Sequence, residues 1–151
     1  MSKTVVKVPG ISEGIEQMKV PLSAAIKANG FVFVSGLPPI DPATGKIPLA
    51  DIARQTELSL ENVKRALEAA GSSLDKVVKV QVFCSNAAYF PIINPIYARY
   101  FTKDPPARTF VAVSGWPLAF DIEIECIALA QVPLSSSAGE GCRAQRGGER
   151  W

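Results

Sequence analysis

Residues that can carry ion and proton chemistry cluster in one segment, PPARTFVAVSGWPLAFDIEIECIALA at 105–130. Arg108 opens one apolar run, and a second run carries Asp121, Glu123 and Glu125 between isoleucines. This two-residue period predicts strands near 107–113 and 120–132, joined as a hairpin, with the acidic side chains on one face. A cation beside a row of carboxylates suits a site that holds a carboxylate ligand and positions a water molecule.

The register of this hairpin decides which carboxylate meets the arginine. A four-residue loop, SGWP, places Arg108 across from Glu123 with Cβ atoms about 5 Å apart. A six-residue loop, SGWPLA, places Arg108 across from Glu125, and the sequence leaves both registers open because turn type fixes them. One interpretation is a structural salt bridge. The other is a ligand site, because five guanidinium N–H donors can engage a glutamate and a ligand carboxylate together.

Composition narrows the chemistry that is available. The 151 residues include no histidine, which excludes the catalytic arrangements and common zinc sites that need imidazole. The three cysteines, Cys84, Cys126 and Cys142, form no CxxC pair. Proton transfer therefore falls to carboxylates, hydroxyls, backbone groups or water, and we expect neither a metal ion nor a cofactor.

Charge and hydropathy argue against two classes of partner. The net charge is +2 without a dense basic stripe, so no nucleic-acid partner is expected. No apolar run approaches the ~20 residues that span a bilayer, and MSKTVVKVPG lacks the apolar core of a signal peptide. We expect a cytoplasmic protein with one domain over residues 1–132. Residues 133–151, rich in Ser, Gly and Arg, are expected to form a disordered tail.

The remaining patterns predict the elements that must position these residues. Runs typical of strands are TVVKV (4–8), GFVFVSG (30–36) and KVVKVQVFCS (76–85). Helical spacing favours helices over 49–71, ending at Gly71, and over 86–101, begun by Asn86 and irregular near Pro95. This order predicts an α+β fold in which two helices cover one face of a mixed sheet. The last strands are apolar on both faces, so we expect a closed homo-oligomer.

The ordered motifs resemble those of the Rid (YjgF) family, reactive imine and enamine deaminases also described as endoribonuclease L-PSP-like proteins. The similarity runs from about residue 20 to 131, through PLSAAIKANGFVFVSG, ARQTELSLENVKRALEAAGSSLDKVVKVQVF, INPIYARYF, DPPARTFVAV and IEIECIALA. It implies a chorismate-mutase-like α+β subunit with about six strands. It also implies a homotrimer with sites in the clefts between subunits.

The resemblance assigns roles to particular residues. Arg108 would hold the carboxylate of a 2-imino acid, and Glu123 would position or activate the hydrolytic water. The substrate would also be lined by Ser35, Gly36, Asn94 and the backbone of Phe110. Many family members carry a tyrosine where this chain has Leu22, and residue 37, often glutamine, is also leucine. These departures predict a more apolar pocket.

The implied reaction is hydrolytic deamination of 2-imino or enamine acids, such as 2-iminobutanoate or 2-iminopropanoate, to 2-oxo acids and ammonia. Such imines are already electrophilic, so a held carboxylate, a placed water and proton transfer suffice. A non-catalytic trimer that binds small carboxylates, or acts like a chaperone, is the alternative, favoured by Leu22. Ribonuclease activity has only the family's older description in its favour and ranks last.

Overall fold

The computed structural model describes residues 2–131, and their backbone forms a six-stranded mixed sheet with three helices. The strands are β1 (Thr4–Val6), β2 (Ala25–Ala28), β3 (Phe31–Leu37), β4 (Val77–Cys84), β5 (Ala107–Ala112) and β6 (Ile122–Leu129). The helices are α1 (Ile11–Gln17), α2 (Ile52–Ala69) and α3 (Phe90–Tyr100). The α+β class and the mixed sheet are confirmed, and the tail predicted for 133–151 lies outside the described residues.

The prediction of two helices was wrong, because α1 is a third. Its seven residues give too short a pattern for helical period to stand out, although Ile11 and Ile15 share one buried face. The Glu13 carboxylate accepts a hydrogen bond from the Gly10 backbone N–H at 2.6 Å and stabilises the first turn. Both isoleucines join the same core that α2 and α3 cover.

Helix α2 follows its sequence pattern closely. Asp51 caps it by accepting a hydrogen bond from the Arg54 N–H at 2.8 Å. Gly71 follows its end with φ of +76°, the left-handed conformation that glycine adopts without a Cβ clash. Two buried polar side chains then tie the helix to the segment after β3. Ser59 Oγ donates to the Leu37 carbonyl, and Asn62 Nδ2 donates to the Pro38 and Ile40 carbonyls.

The predicted hairpin between residues 107–113 and 120–132 does not exist. The strand order is β1-β2-β3-β6-β4-β5, so β4 lies between the two strands that carry Arg108 and Glu123. Strand β5 is an edge strand that pairs with β4 in parallel, whereas β4 and β6 are antiparallel. The connection between β5 and β6 crosses the end of β4 instead of turning tightly. Neither of the two registers predicted for Arg108, opposite Glu123 or opposite Glu125, is present.

The true register places Arg108 and Glu123 on opposite faces of the sheet. Arg108 is level with Val80, which is fully buried beneath the helices. Glu123 is level with Phe83, which points away from the helices because side chains alternate along β4. Both side chains were expected on one face. That expectation was wrong, because it assumed direct pairing of β5 with β6.

The face of the sheet opposite the helices is apolar and partly exposed. Phe33 is level with Ile127, and Phe31 is level with Leu129. The side chains of Phe31, Phe33 and Leu129 are 37%, 42% and 45% exposed. Such a contiguous patch is typical of a surface that another chain covers. Among residues 2–131, no helix has both the length and the apolar character to cross a bilayer.

Candidate functional site

Arg108 lies on the helix-covered side of β5, among side chains of α3. Its Nη1 donates a hydrogen bond to Asn94 Oδ1 at 2.9 Å. Its Cζ lies 4.8 Å from the centroid of the Tyr97 ring and 5.7 Å from that of Phe90. Phe110 packs edge-to-face on Phe90 with centroids 4.9 Å apart. We call these five residues the arginine group.

The arginine group orients the guanidinium and leaves most of its donors available. Aromatic faces attract a cation, and two of them here limit the directions in which the side chain can move. Among residues 2–131 the guanidinium makes one hydrogen bond and no ion pair within the chain. Four of its five N–H donors therefore remain for a bidentate contact with a carboxylate or another planar anion.

Tyr97 supports the guanidinium from the core side. Its side chain is buried, and burial raises its pKa to about 12, with Arg108 acting in the opposite direction. The phenol is therefore neutral at pH 7. Its hydroxyl group is buried and has no hydrogen-bond partner among the residues that the structure describes. The ring, and not the hydroxyl, is what Tyr97 presents to Arg108.

Glu123 lies on the other face of the sheet, at the edge of a cavity of about 220 Å³. We call this cavity the glutamate pocket. Its walls come from α1 and the loop after it, from the end of β3, and from the loop between β5 and β6. Apart from Glu123, the side chains that matter most are apolar: Met18, Val20, Leu22, Trp116, Leu118 and Phe120. Trp116 and Phe120 stack with ring centroids 4.6 Å apart.

The surroundings of Glu123 favour its protonated form. Burial raises the pKa of its carboxyl above the ordinary glutamate value, and the neighbouring charge of Glu125 raises it further. A hydrogen bond from the Trp116 side chain acts in the opposite direction. A carboxylate with a raised pKa is, when ionised, a stronger base than an exposed one.

An irregularity in β3 brings backbone close to this carboxylate. The pairing of β3 with β6 shifts between Val34 and Leu37, at the position of Ser35 and Gly36. A Cβ atom on Gly36 would lie 2.6 Å from Glu123 Oε1, so only glycine leaves the carboxylate where it is. Ser35 Oγ donates to the Ser23 carbonyl at 2.6 Å and so helps to hold this irregular segment.

A polar clasp fixes the start of β6, two residues before Glu123. Gln55 of α2 donates from Nε2 to Asp121 Oδ2 at 3.0 Å and accepts from the Asp121 backbone N–H at 2.8 Å. Ser85, just after β4, donates from Oγ to Asp121 Oδ1 at 2.8 Å. Asp121 therefore has a structural role. Through it, helix α2 and the end of strand β4 position the beginning of β6, the strand that carries Glu123.

The residues predicted from the sequence thus fall into two separate places. Leu22, Gly36 and Glu123 line the glutamate pocket, and Ser35 lines a neighbouring cavity of about 310 Å³ beside Lys79 and Glu125. The other three belong to the arginine group: Asn94, Arg108 and Phe110. Neither of these two cavities is lined by a member of the arginine group.

Sequence reasoning missed several residues that shape these places. Trp116 was treated only as part of a turn. A tryptophan in a short loop between strands nevertheless indicates that the loop packs against another part of the protein or a ligand. Phe90 and Tyr97 were predicted only as part of the helix over 86–101. Tyr97 is buried, but its ring also lies beside the Arg108 guanidinium, and helical period alone does not separate a core residue from one that contacts a site.

Comparison with known proteins shows which family the chain resembles. A family model described as Endoribonuclease L-PSP matches residues 15–130. The chain is 50% identical over 108 residues to a RutC family protein of Pyrococcus horikoshii, which covers 72% of this chain and 86% of that protein. It is 44% identical over 108 residues to Reactive Intermediate Deaminase A, chloroplastic, of Arabidopsis thaliana, covering 72% of this chain and 58% of that protein.

A solved structure extends the similarity to the fold. The crystal structure of E. coli TdcF with bound serine matches with a TM-score of 0.76 and 34% identity, covering 85% of this chain and 99% of that one. The fold and the matched segment define an α+β protein of the endoribonuclease L-PSP type. The chain belongs to the Rid (YjgF) family, and the plant relative's name supports a deaminase role at the level of this family.

Proposed function

We propose that the chain hydrolyses 2-imino acids, such as 2-iminobutanoate and 2-iminopropanoate, to 2-oxo acids and ammonia. The proposal includes a homotrimer in which the arginine group of one copy meets the glutamate pocket of the next. The observation that carries it is the placement of Arg108 and Glu123 on opposite faces of one sheet. Two side chains so placed act on one small molecule only if a second copy supplies one of them.

The surface of the subunit supports such an assembly. Phe31, Phe33 and Leu129 form an apolar patch on the same face as Glu123. Strand β5 lies at the edge of the sheet, so a neighbouring copy can approach Arg108 past this edge. Covering the patch removes apolar area from water at roughly 25 cal/mol per Å², which favours association.

The two sets of side chains suit the chemical steps. Arg108, oriented by Asn94 and two aromatic rings, holds the substrate carboxylate through two parallel N–H bonds. Glu123 takes a proton from a water molecule as the water oxygen bonds to C2 of the imine. Glu123 returns that proton to the imine nitrogen, which gives a carbinolamine with a hydroxyl group and an NH2 group on C2. The hydroxyl proton then passes to nitrogen by way of Glu123, the C2–N bond breaks as the hydroxyl oxygen becomes the carbonyl oxygen, and ammonia and the 2-oxo acid leave. Imine plus water thus balances with oxo acid plus ammonia.

The acidity of Glu123 suits this cycle. The raised pKa makes the ionised carboxylate a stronger base towards water than an exposed glutamate, and the proton that it accepts can be returned to nitrogen. Arg108 of the neighbouring copy opposes this shift once assembled, because an opposite charge nearby favours the ionised form. Positioning the water beside a held imine supplies much of the acceleration.

A complementation experiment tests the function and the shared site together. Arg108→Ala and Glu123→Gln each abolish hydrolysis of enzymatically generated 2-iminobutanoate, with semicarbazide trapping the imine that remains. Mass measurement shows each variant still assembled. Mixed trimers of the two variants, isolated through two different affinity tags, contain one complete site of three and regain about one third of wild-type activity.

The outcomes separate the alternatives. Inactive mixed trimers together with active wild type would place both residues of each site in one chain. Full activity of Arg108→Ala, or a wild-type protein that remains a monomer, would refute the proposal. A wild-type trimer that binds 2-oxo acids by calorimetry yet hydrolyses no imine would be a binding protein, the alternative that the apolar Leu22 in the pocket favours.

A further inference from the structure

The glutamate pocket is larger and more apolar than attack on an imine carbon requires. Its volume is about 220 Å³, whereas one water molecule occupies about 30 Å³ in the liquid. Val20, Leu22 and Leu118 on its walls are 41%, 44% and 46% exposed, so apolar surface faces the empty space. Binding of an apolar group in such a pocket is favourable, because it displaces water and removes apolar surface from contact with it.

The geometry of a 2-imino acid determines which of its parts enters this space. Its C2 carbon carries three groups: the carboxylate, the imine nitrogen and the side chain. In the proposed function Arg108 of another copy holds the carboxylate, and the water activated by Glu123 approaches C2. The side chain, attached to the carbon that this water attacks, therefore lies within one or two bonds of the pocket at whose edge Glu123 stands.

We propose that the glutamate pocket receives the substrate side chain and selects 2-imino acids with large apolar side chains over those with a methyl or ethyl group. The preferred substrates are those derived from branched aliphatic or aromatic amino acids. This inference rests on the proposed function and adds its substrate class. A methyl group leaves most of the pocket to water, whereas a four-carbon branched chain displaces that water and contacts the apolar walls.

Two features of this chain set the selection. Leu22 presents an apolar side chain to the pocket and offers no hydroxyl group to a polar substrate side chain. Trp116, stacked on Phe120, forms a flat wall of the pocket that Glu123 also lines, and it offers the substrate side chain an apolar surface.

The test compares the imines derived from leucine and from alanine, each corrected for its uncatalysed hydrolysis. One methylene in an apolar pocket is worth about 10- to 200-fold in kcat/KM, so we expect the leucine-derived imine to be favoured by at least about tenfold. In Leu118→Ser this ratio falls towards one. The matched control is Leu49→Ser, whose leucine is 94% exposed and lies outside the pocket; there the ratio stays at its wild-type value.

Binding of the product acids distinguishes failure of the inference from failure of the function. Calorimetry with 4-methyl-2-oxopentanoate and pyruvate measures the same preference without turnover. Equal or better hydrolysis of the alanine-derived imine overturns the inference and leaves the proposed function standing. Hydrolysis of neither imine overturns the function, and equal dissociation constants for the two oxo acids then overturn the inference as well.

Discussion

Replacement of Gly36 by alanine is expected to displace the Glu123 carboxylate while leaving the stability of the fold nearly unchanged. In Gly36→Ala the new Cβ atom would lie 2.6 Å from Glu123 Oε1 and 2.9 Å from its Cδ. Ordinary contact begins at 3.4 Å, so the carboxylate must retreat by roughly 0.8 Å. The atoms displaced are the far end of a flexible side chain, and the φ of Gly36 is outside the left-handed region. The fold therefore tolerates the change.

The expected result is a large loss of activity with little loss of stability. A misplacement of about 1 Å in an active site costs about 10²-fold in rate, equivalent to about 2.7 kcal/mol of transition-state stabilisation. The free energy of unfolding should change by less than about 1 kcal/mol, because alanine also reduces the freedom of the unfolded chain. Imine hydrolysis measures the first quantity and urea denaturation the second.

A second glycine provides the matched control. Gly30 follows Asn29 in the tight turn between β2 and β3, has φ of +81°, and has no heavy atom within 4 Å of its would-be Cβ. Gly30→Ala should lose about 1 kcal/mol of stability through backbone strain and keep its activity. If Gly36→Ala is folded and keeps the wild-type kcat/KM, then catalysis does not depend on where the Glu123 carboxylate lies, and the prediction is refuted. Failure of that variant to fold would refute the steric argument.

Two further predictions concern Tyr97, whose ring lies beside Arg108, and Asn62, which holds the segment after β3. Tyr97→Phe keeps the ring beneath the guanidinium and removes a buried hydroxyl without a partner among residues 2–131, so the free energy of unfolding should stay constant or rise by up to about 1 kcal/mol. A loss above 1 kcal/mol in urea denaturation would contradict this. Asn62→Ala leaves the Pro38 and Ile40 carbonyls without their donor and should cost about 2–3 kcal/mol, with a loss below about 0.5 kcal/mol contradicting it.

The sequence predicted local structure better than strand neighbours. Helix α2 carries its own signals, an N-cap at Asp51 and a glycine after its end, and these act within a few residues. Strand alternation correctly separated Glu123 from Ile122 and Ile124. Alternation says nothing about which strand lies alongside, however, and β4 is inserted between β5 and β6 by contacts that are distant in sequence. The register error for Arg108 follows from this alone.

The candidate residues were accessible to sequence reasoning mainly through their motifs. Arg108 and Glu123 stand in short motifs that resemble those of the family, whereas the pairing of Arg108 with Asn94 joins residues 14 positions apart across a helix-to-strand connection. Trp116 lines the pocket from the loop between β5 and β6, and the sequence pattern of a loop does not indicate which distant elements it contacts.

The opposite orientation of Arg108 and Glu123 gives the proposed assembly a polarity. Arg108 of each copy would complete a site with one neighbour, and Glu123 would complete a site with the other, so the contact between copies is head-to-tail. An open row of such copies always ends with one cation and one acid unused, and it can go on adding members into a filament. Only closure into a ring uses every group and stops growth. The curvature of the interface would therefore determine both the yield of complete sites and the solubility of the protein.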